Sequence, residues 1–190
     1  MKKAIIIFLA AVFVLAIAYI LLFPSKEFEE GDKYDEIMAR GGLKVGINPN
    51  SKPFGYYDKD GNIVGYDADL ARYIAQYIVK SSKRLEFIPV TPSTRLIKAS
   101  TGEVDIVIST VTITPQRQEV VDFSIPYDTA GQAVLVPVNS NIGALTDLAG
   151  QNVGVIFGTT AEKNMKNLVP TANLFGFRSY PDAYKALKNG

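Results

Sequence analysis

The sequence predicts an α/β fold of two lobes with a cleft between them, and three observations carry that prediction. Short apolar strands alternate with amphipathic helices along residues 43–190, a rhythm that builds parallel sheets through right-handed crossovers. The alternation comes in two runs, βαβαβ and then βαβα, joined by an extended stretch at residues 128–138. The segment Val104-Asp-Ile-Val-Ile108 is nearly all apolar, as expected of a strand covered on both faces.

Leu43-Lys-Val-Gly-Ile47 alternates and predicts the first strand. Asp58-Lys-Asp-Gly61 is a turn, and Asn62-Ile-Val-Gly-Tyr66 leads from it to Asp67, an expected N-cap. Leu70, Ile74 and Ile78 then recur every fourth residue beside Ala71 and Ala75, which predicts an amphipathic helix over 68–79. A second strand is expected at 85–90, a short helix at 93–101 closed by Gly102, and a third strand at 104–108. Thr114-Pro115 opens another helix, because threonine caps and proline fits the first turn. In the second run, strands are expected at 131–138, 152–156 and 174–177. Helices are expected to end near Gly150, to run from the Thr159-Thr-Ala-Glu162 capping box to about 168, and to span 181–188. Asn189-Gly190 is a helix-ending signal, where a third strand of the second lobe is due. We therefore expect the fold to be incomplete at the C-terminus.

The N-terminus sets the compartment. Lys2-Lys3 precedes an unbroken apolar run over 4–23, about the length that spans a bilayer as a helix. Ala16-Ile17-Ala18 offers a signal-peptide cleavage site, whereas Tyr19-Ile-Leu-Leu-Phe23 carries the run past it. Residues 1–24 thus read as a signal anchor or a signal peptide. Lysines before the run and Glu27, Glu29, Glu30 and Asp32 after it place the remainder outside, tethered through residues 25–42.

Composition excludes several functions. Twenty lysines and arginines balance nineteen aspartates and glutamates, and there is no basic stripe for a nucleic acid. The chain has no cysteine and no histidine, so disulfides, Cys/His zinc sites and histidine or cysteine catalysis are excluded. Neither GxxxxGK[ST] nor GxGxxG occurs, and no cofactor is implied.

Ligands of open α/β sheets bind beyond the carboxyl ends of the strands, and two such loops stand out. In Ile108-Ser-Thr-Val-Thr-Ile-Thr-Pro-Gln-Arg117, the hydroxyls of Ser109, Thr110 and Thr112 lie near Arg117 in a first helical turn. A cation there opposes the helix dipole, and its planar fork suits a carboxylate. The competing reading pairs it with Glu119 or Asp122. In Ile156-Phe-Gly-Thr-Thr160, Thr159 and Thr160 open a helix whose free N–H groups either bind an anion or are simply capped. Asp67 and Asp69 at a helix start read as capping residues rather than acid/base groups. Phe54, Tyr56, Tyr57 and Tyr66 either pack or stack on a ligand.

Gly65-Tyr-Asp-Ala-Asp-Leu-Ala-Arg-Tyr-Ile-Ala-Gln-Tyr-Ile78, Gly102-Glu-Val-Asp105, Thr112-Ile-Thr-Pro-Gln-Arg117, Val121-Asp-Phe-Ser-Ile-Pro-Tyr127, Leu148-Ala-Gly-Gln-Asn-Val-Gly-Val155 and Gly158-Thr-Thr160 together resemble the polar amino-acid-binding family of periplasmic solute-binding proteins, the binding components of ABC transporters. The one departure in the first motif is Ala68, where the family has a larger aliphatic residue. The resemblance covers 43–190 and implies a type II periplasmic-binding-protein fold, with lobe 1 at 43–128, a hinge crossover at 129–137 and a partial lobe 2 at 138–190. It implies that Arg117 takes the ligand α-carboxylate, helped by Thr112 and the backbone near Thr160, and that Thr110 accepts from the α-ammonium. The aspartate that family members add from the second lobe falls beyond Gly190. Asn48, Ser51, Phe54 and Ile156 would line the side-chain pocket. Many members carry an acid at position 48 and an aromatic at 51, so Asn48 and Ser51 turn the expectation toward a neutral or acidic polar amino acid such as glutamine or glutamate.

The implied function is capture of a free amino acid by a monomer outside the cytoplasm and delivery to an ABC permease. Two other readings share the fold: a sensor module of a membrane receptor, and a cyclohexadienyl-dehydratase-like enzyme.

Overall fold

In the computed structural model, which describes residues 33–190, strand β1 (Leu43–Ile47) is the centre of the first sheet. The readings of residues 1–24 and the start of the tether lie outside the described residues. Helix α1 (Lys33–Arg40) falls inside the segment read as a tether, and its Ile37 is buried. Among the described residues no helix is long and apolar enough to cross a membrane.

β1 pairs in parallel with β5 (Leu85–Pro89) on one side and β6 (Ile106–Val107) on the other, with Val45 opposite both Phe87 and Ile106. Its position between two neighbours explains why Leu43, Val45 and Ile47 are wholly buried. Helix α2 (Tyr66–Ile78) crosses over to β5 and covers this sheet. Ala71 and Ala75 are wholly buried in the cluster around β1, with Leu70, Ile74 and Ile78 packed against it. Small side chains on the inner face let the helix lie close to the strands. The short helix α3 (Arg95–Ser100) leads to β6, which is shorter than the expected strand at 104–108.

One expectation fails in this half, and one stretch forms strands that its sequence did not mark. The segment between β1 and α2 is an antiparallel meander of β2 (Asn50–Ser51), β3 (Gly55–Tyr57) and β4 (Ile63–Val64). These strands are too short to show an alternating pattern. Asp67 is not the N-cap of α2; that position belongs to Gly65, at φ 116°. A Cβ on Gly65 would stand 2.4 Å from the Phe54 carbonyl oxygen, so the helix begins where only glycine fits. Asp67 is drawn into the first turn and buried at 1 % exposure.

In the second half, β7 (Asn152–Ile156) pairs in parallel with β8 (Asn173–Phe177), joined by α5 (Thr160–Leu168). Helix α6 (Tyr180–Asn189) follows β8, capped by the Ser179 hydroxyl. A 3₁₀ turn at Leu145–Leu148 precedes β7. Leu148, Val153, Val155, Met165 and Val169 form a hydrophobic cluster separate from that around β1. The strand expected at 131–138 is absent: the segment is unpaired, and Val138, in a turn, is fully exposed. Apolar alternation marks a chain able to be a strand, but a ladder needs a partner, and no described strand runs beside this one.

Candidate functional site

The loops that leave the carboxyl ends of β6 and β7 meet at Arg117. Thr114 caps the single-turn helix α4 (Pro115–Gln118): its side chain accepts from the Arg117 N–H, and Pro115 occupies the first turn. This cap places the Arg117 side chain against the loop it has just left. Nη1 donates to the Thr112 carbonyl at 2.7 Å, and Nη2 donates to the Gly158 carbonyl at 3.0 Å. Neither Glu119 nor Asp122 forms an ion pair with it. Partial burial lowers the guanidinium pKa from its ordinary value, but an arginine keeps its charge there.

Across the gap, Thr159 caps α5, accepting from the Glu162 N–H at 3.2 Å and donating to the Ile156 carbonyl at 2.7 Å. The Glu162 carboxylate accepts from the Gly158 N–H at 3.1 Å. Half of the expected capping box is formed: Thr159 caps the helix, but the Glu162 carboxylate returns to the N–H of Gly158 rather than that of Thr159. Gly158, at φ 77°, packs so closely that a Cβ would meet Pro92 and Ser93 after β5 at 2.7 Å. Thr160 carries a hydroxyl 3.4 Å from that of Thr112, and Gln132 donates to it at 2.7 Å. The structure thus brings Thr112, Arg117 and Thr160 together, whereas the Thr159 side chain is committed to capping.

The other expected residues take distinct places. Ser109 is buried, and its carbonyl accepts from Arg95 while its own hydroxyl oxygen has no partner. Thr110 sits in the left-handed region at φ 48°, and its N–H donates to the Tyr127 hydroxyl at 2.9 Å. Asn48 is buried at the end of β1, where its Oδ1 accepts from the Asn50 N–H. Ser51 lies in β2, and the Phe54 N–H donates to its carbonyl. Phe54 packs edge-on to Tyr66. Ile156 is buried at 5 % exposure. An open surface cavity of about 610 Å³ is lined by Asn50, Lys52, Tyr56 and Pro181. It does not reach Arg117, so the converging hydrogen bonds, rather than that hollow, define the candidate site.

Sequence reasoning missed Arg95, Tyr127 and the buried side of Asp67. Arg95 is 4 % exposed, and desolvation, reinforced by the nearby Arg117 charge, lowers its pKa to about 10. One signal was available: Arg95 opens a helix, where a cation is unfavourable without a reason. Asp67 rises to about 6, chiefly through desolvation. Burial and the Asp67 charge push the Tyr127 hydroxyl above its usual range, so it remains a donor.

A model of the bacterial extracellular solute-binding proteins, family 3, matches residues 43–188. The ABC transporter glutamine-binding protein GlnH of Bacillus subtilis (strain 168) is 34 % identical over 168 residues, covering 87 % of this chain and 61 % of the relative. The crystal structure of the solute receptor for L-cysteine of Neisseria gonorrhoeae superposes with a TM-score of 0.80 at 30 % identity, over 83 % of this chain and 64 % of that one. The ancestral amino acid-binding protein AncCDT-1, a precursor of cyclohexadienyl dehydratase, superposes with a TM-score of 0.79 at 39 % identity, over 84 % of this chain and 70 % of that one. Two of these are named as binding proteins and one as a solute receptor. The chain spans about 60 % of the length of curated relatives it matches.

Proposed function

This chain belongs to the bacterial extracellular solute-binding proteins, family 3, and from that premise we propose that it captures a free polar L-amino acid outside the cytoplasm and delivers it to an ABC-type importer. The observation that carries the proposal is Arg117, held between the β6 and β7 loops by the carbonyls of Thr112 and Gly158. Each terminal nitrogen of a guanidinium bears two hydrogens and Nε bears a fifth. Two bonds to the loops therefore leave three donors for a carboxylate, with the hydroxyls of Thr112 and Thr160 beside them. A charge-assisted pair of this kind is stronger than a neutral hydrogen bond.

Thr110 supplies a carbonyl and a hydroxyl for the α-ammonium. Asn48, Ser51, Phe54 and Ile156 face the ligand side chain, with Ser109 beneath. With an amide at position 48 rather than a carboxylate, the pocket suits a neutral or acidic polar amino acid, such as glutamine or glutamate, better than a cationic one. Lobe 1 at 43–128 and lobe 2 from 138 close on the ligand about the crossover at 129–137. The separate hydrophobic clusters of the two halves support that division. Capture needs no covalent step, so we read the chain as a binding protein and not an enzyme. It acts as a monomer, and the apolar run at 4–23 keeps it at the membrane, where the permease is.

Calorimetry on the full-length protein with a panel of L-amino acids tests this. At least one should bind, and Arg117→Ala should weaken that binding about 100-fold or more, as loss of a desolvated charge partner does. Equal affinity in the two proteins would remove the basis of the reading.

A further inference from the structure

The loop proposed to receive the ligand ammonium is held from behind. Thr110 has φ 48°, a conformation that costs a threonine energy and persists only when its surroundings impose it. Its N–H donates to the Tyr127 hydroxyl at 2.9 Å, and that hydroxyl donates to Asp67 Oδ1 at 3.1 Å. Asp67 is 1 % exposed and anchored in the first turn of α2. Tyr127 is clamped in turn: its ring stacks on Tyr66 at 6.1 Å, and Tyr66 meets Phe54 edge-on at 6.1 Å.

A hydroxyl that accepts from one group and donates to another has a fixed orientation. The direction is enforced here, because a carboxylate can only accept and an amide N–H can only donate. We propose that Asp67 and Tyr127 are positioning residues that hold Thr110 in its ligand-accepting conformation through this two-bond relay. The idea rests on the amino-acid-binding reading, and it extends that reading to a pair of side chains that touch no ligand themselves. Tyr127 also lies two residues before the crossover at 129–137, so the same hydroxyl ties the start of the hinge to the ligand loop.

Tyr127→Phe removes the hydroxyl and leaves the ring to stack on Tyr66. In the full-length protein we expect amino-acid affinity to fall about tenfold, the size expected from loss of one buried hydrogen bond, and hydrogen exchange at the Thr110 amide to accelerate. Amides in β1 should keep their protection, which a general loss of packing would not allow. Asp67→Asn retains an oxygen acceptor for Tyr127 and should restrain Thr110 as the wild type does. Asp67→Ala should behave like Tyr127→Phe. If the wild type binds an amino acid and Tyr127→Phe binds it equally well, with Thr110 exchange unchanged, the relay is refuted while the binding function stands. A wild-type protein that binds no amino acid refutes both.

Discussion

The guanidinium of Arg117 donates to the carbonyl of Gly158 at 3.0 Å, joining two loops forty-one residues apart in sequence. The same group holds its own loop through Thr112, so one side chain sets the spacing between the ends of β6 and β7. Arg117→Lys keeps the charge but not the planar fork. A lysine cannot span both carbonyls and a ligand carboxylate in one plane. We expect affinity for the amino acid to fall about 10- to 100-fold, read by calorimetry at constant ionic strength. A lysine variant as tight as the wild type would show that charge alone suffices.

Gly158→Ala should destabilise the protein by about 1–3 kcal/mol. The residue has φ 77°, and an added Cβ would stand 2.7 Å from the Pro92 oxygen and the Ser93 Cα. Both neighbours are backbone atoms, so relief requires the loops after β5 and β7 to separate. Urea unfolding should show a lower midpoint with an unchanged slope.

Asp67→Asn should change how stability depends on pH. Burial raises the Asp67 pKa from 3.8 to about 6, so the folded state holds this proton more tightly than the unfolded one. The resulting stability is complete below pH 3.8 and is lost as the pH rises through about 6. An asparagine resembles the protonated acid throughout. The wild type should therefore match the variant near pH 4 and fall below it by about 1–3 kcal/mol near pH 7. Parallel thermal-melt curves for the two proteins across this window would contradict the assignment.

Thr159→Ala should cost about 1 kcal/mol of stability, measured by thermal melting. Its hydroxyl caps α5 and bonds back to Ile156, and alanine replaces neither contact.

What the sequence revealed and what it concealed divide along the range of the interactions. β1 and α2 were legible because one periodicity per element decides which face is buried, and Leu43, Val45, Ala71 and Ala75 follow it. The caps at Thr114 and Thr159 were legible because a cap is settled within four residues. The segment at 131–138 was misread because pairing depends on a partner that local pattern cannot supply. Asp67 was misread because its surroundings come from Tyr127, sixty residues away, and because the steric limit at Gly65 arises from Phe54. At the candidate site, Arg117 and Thr160 could be picked out by their positions at helix starts. Arg95 offered only the hint of a cation at a helix start, and Tyr127 offered none, since what matters about both is burial against other loops.

The chain has ten tyrosines and no tryptophan, so its near-ultraviolet spectrum belongs to phenols and phenylalanines alone. Tyr127 donates its hydroxyl to the Asp67 carboxylate and stacks on the Tyr66 ring, two contacts that perturb a phenol's spectrum. The protein thus carries a built-in optical probe bonded to the Thr110 backbone, and a rearrangement of that loop would register as tyrosine circular dichroism or emission without any label being attached.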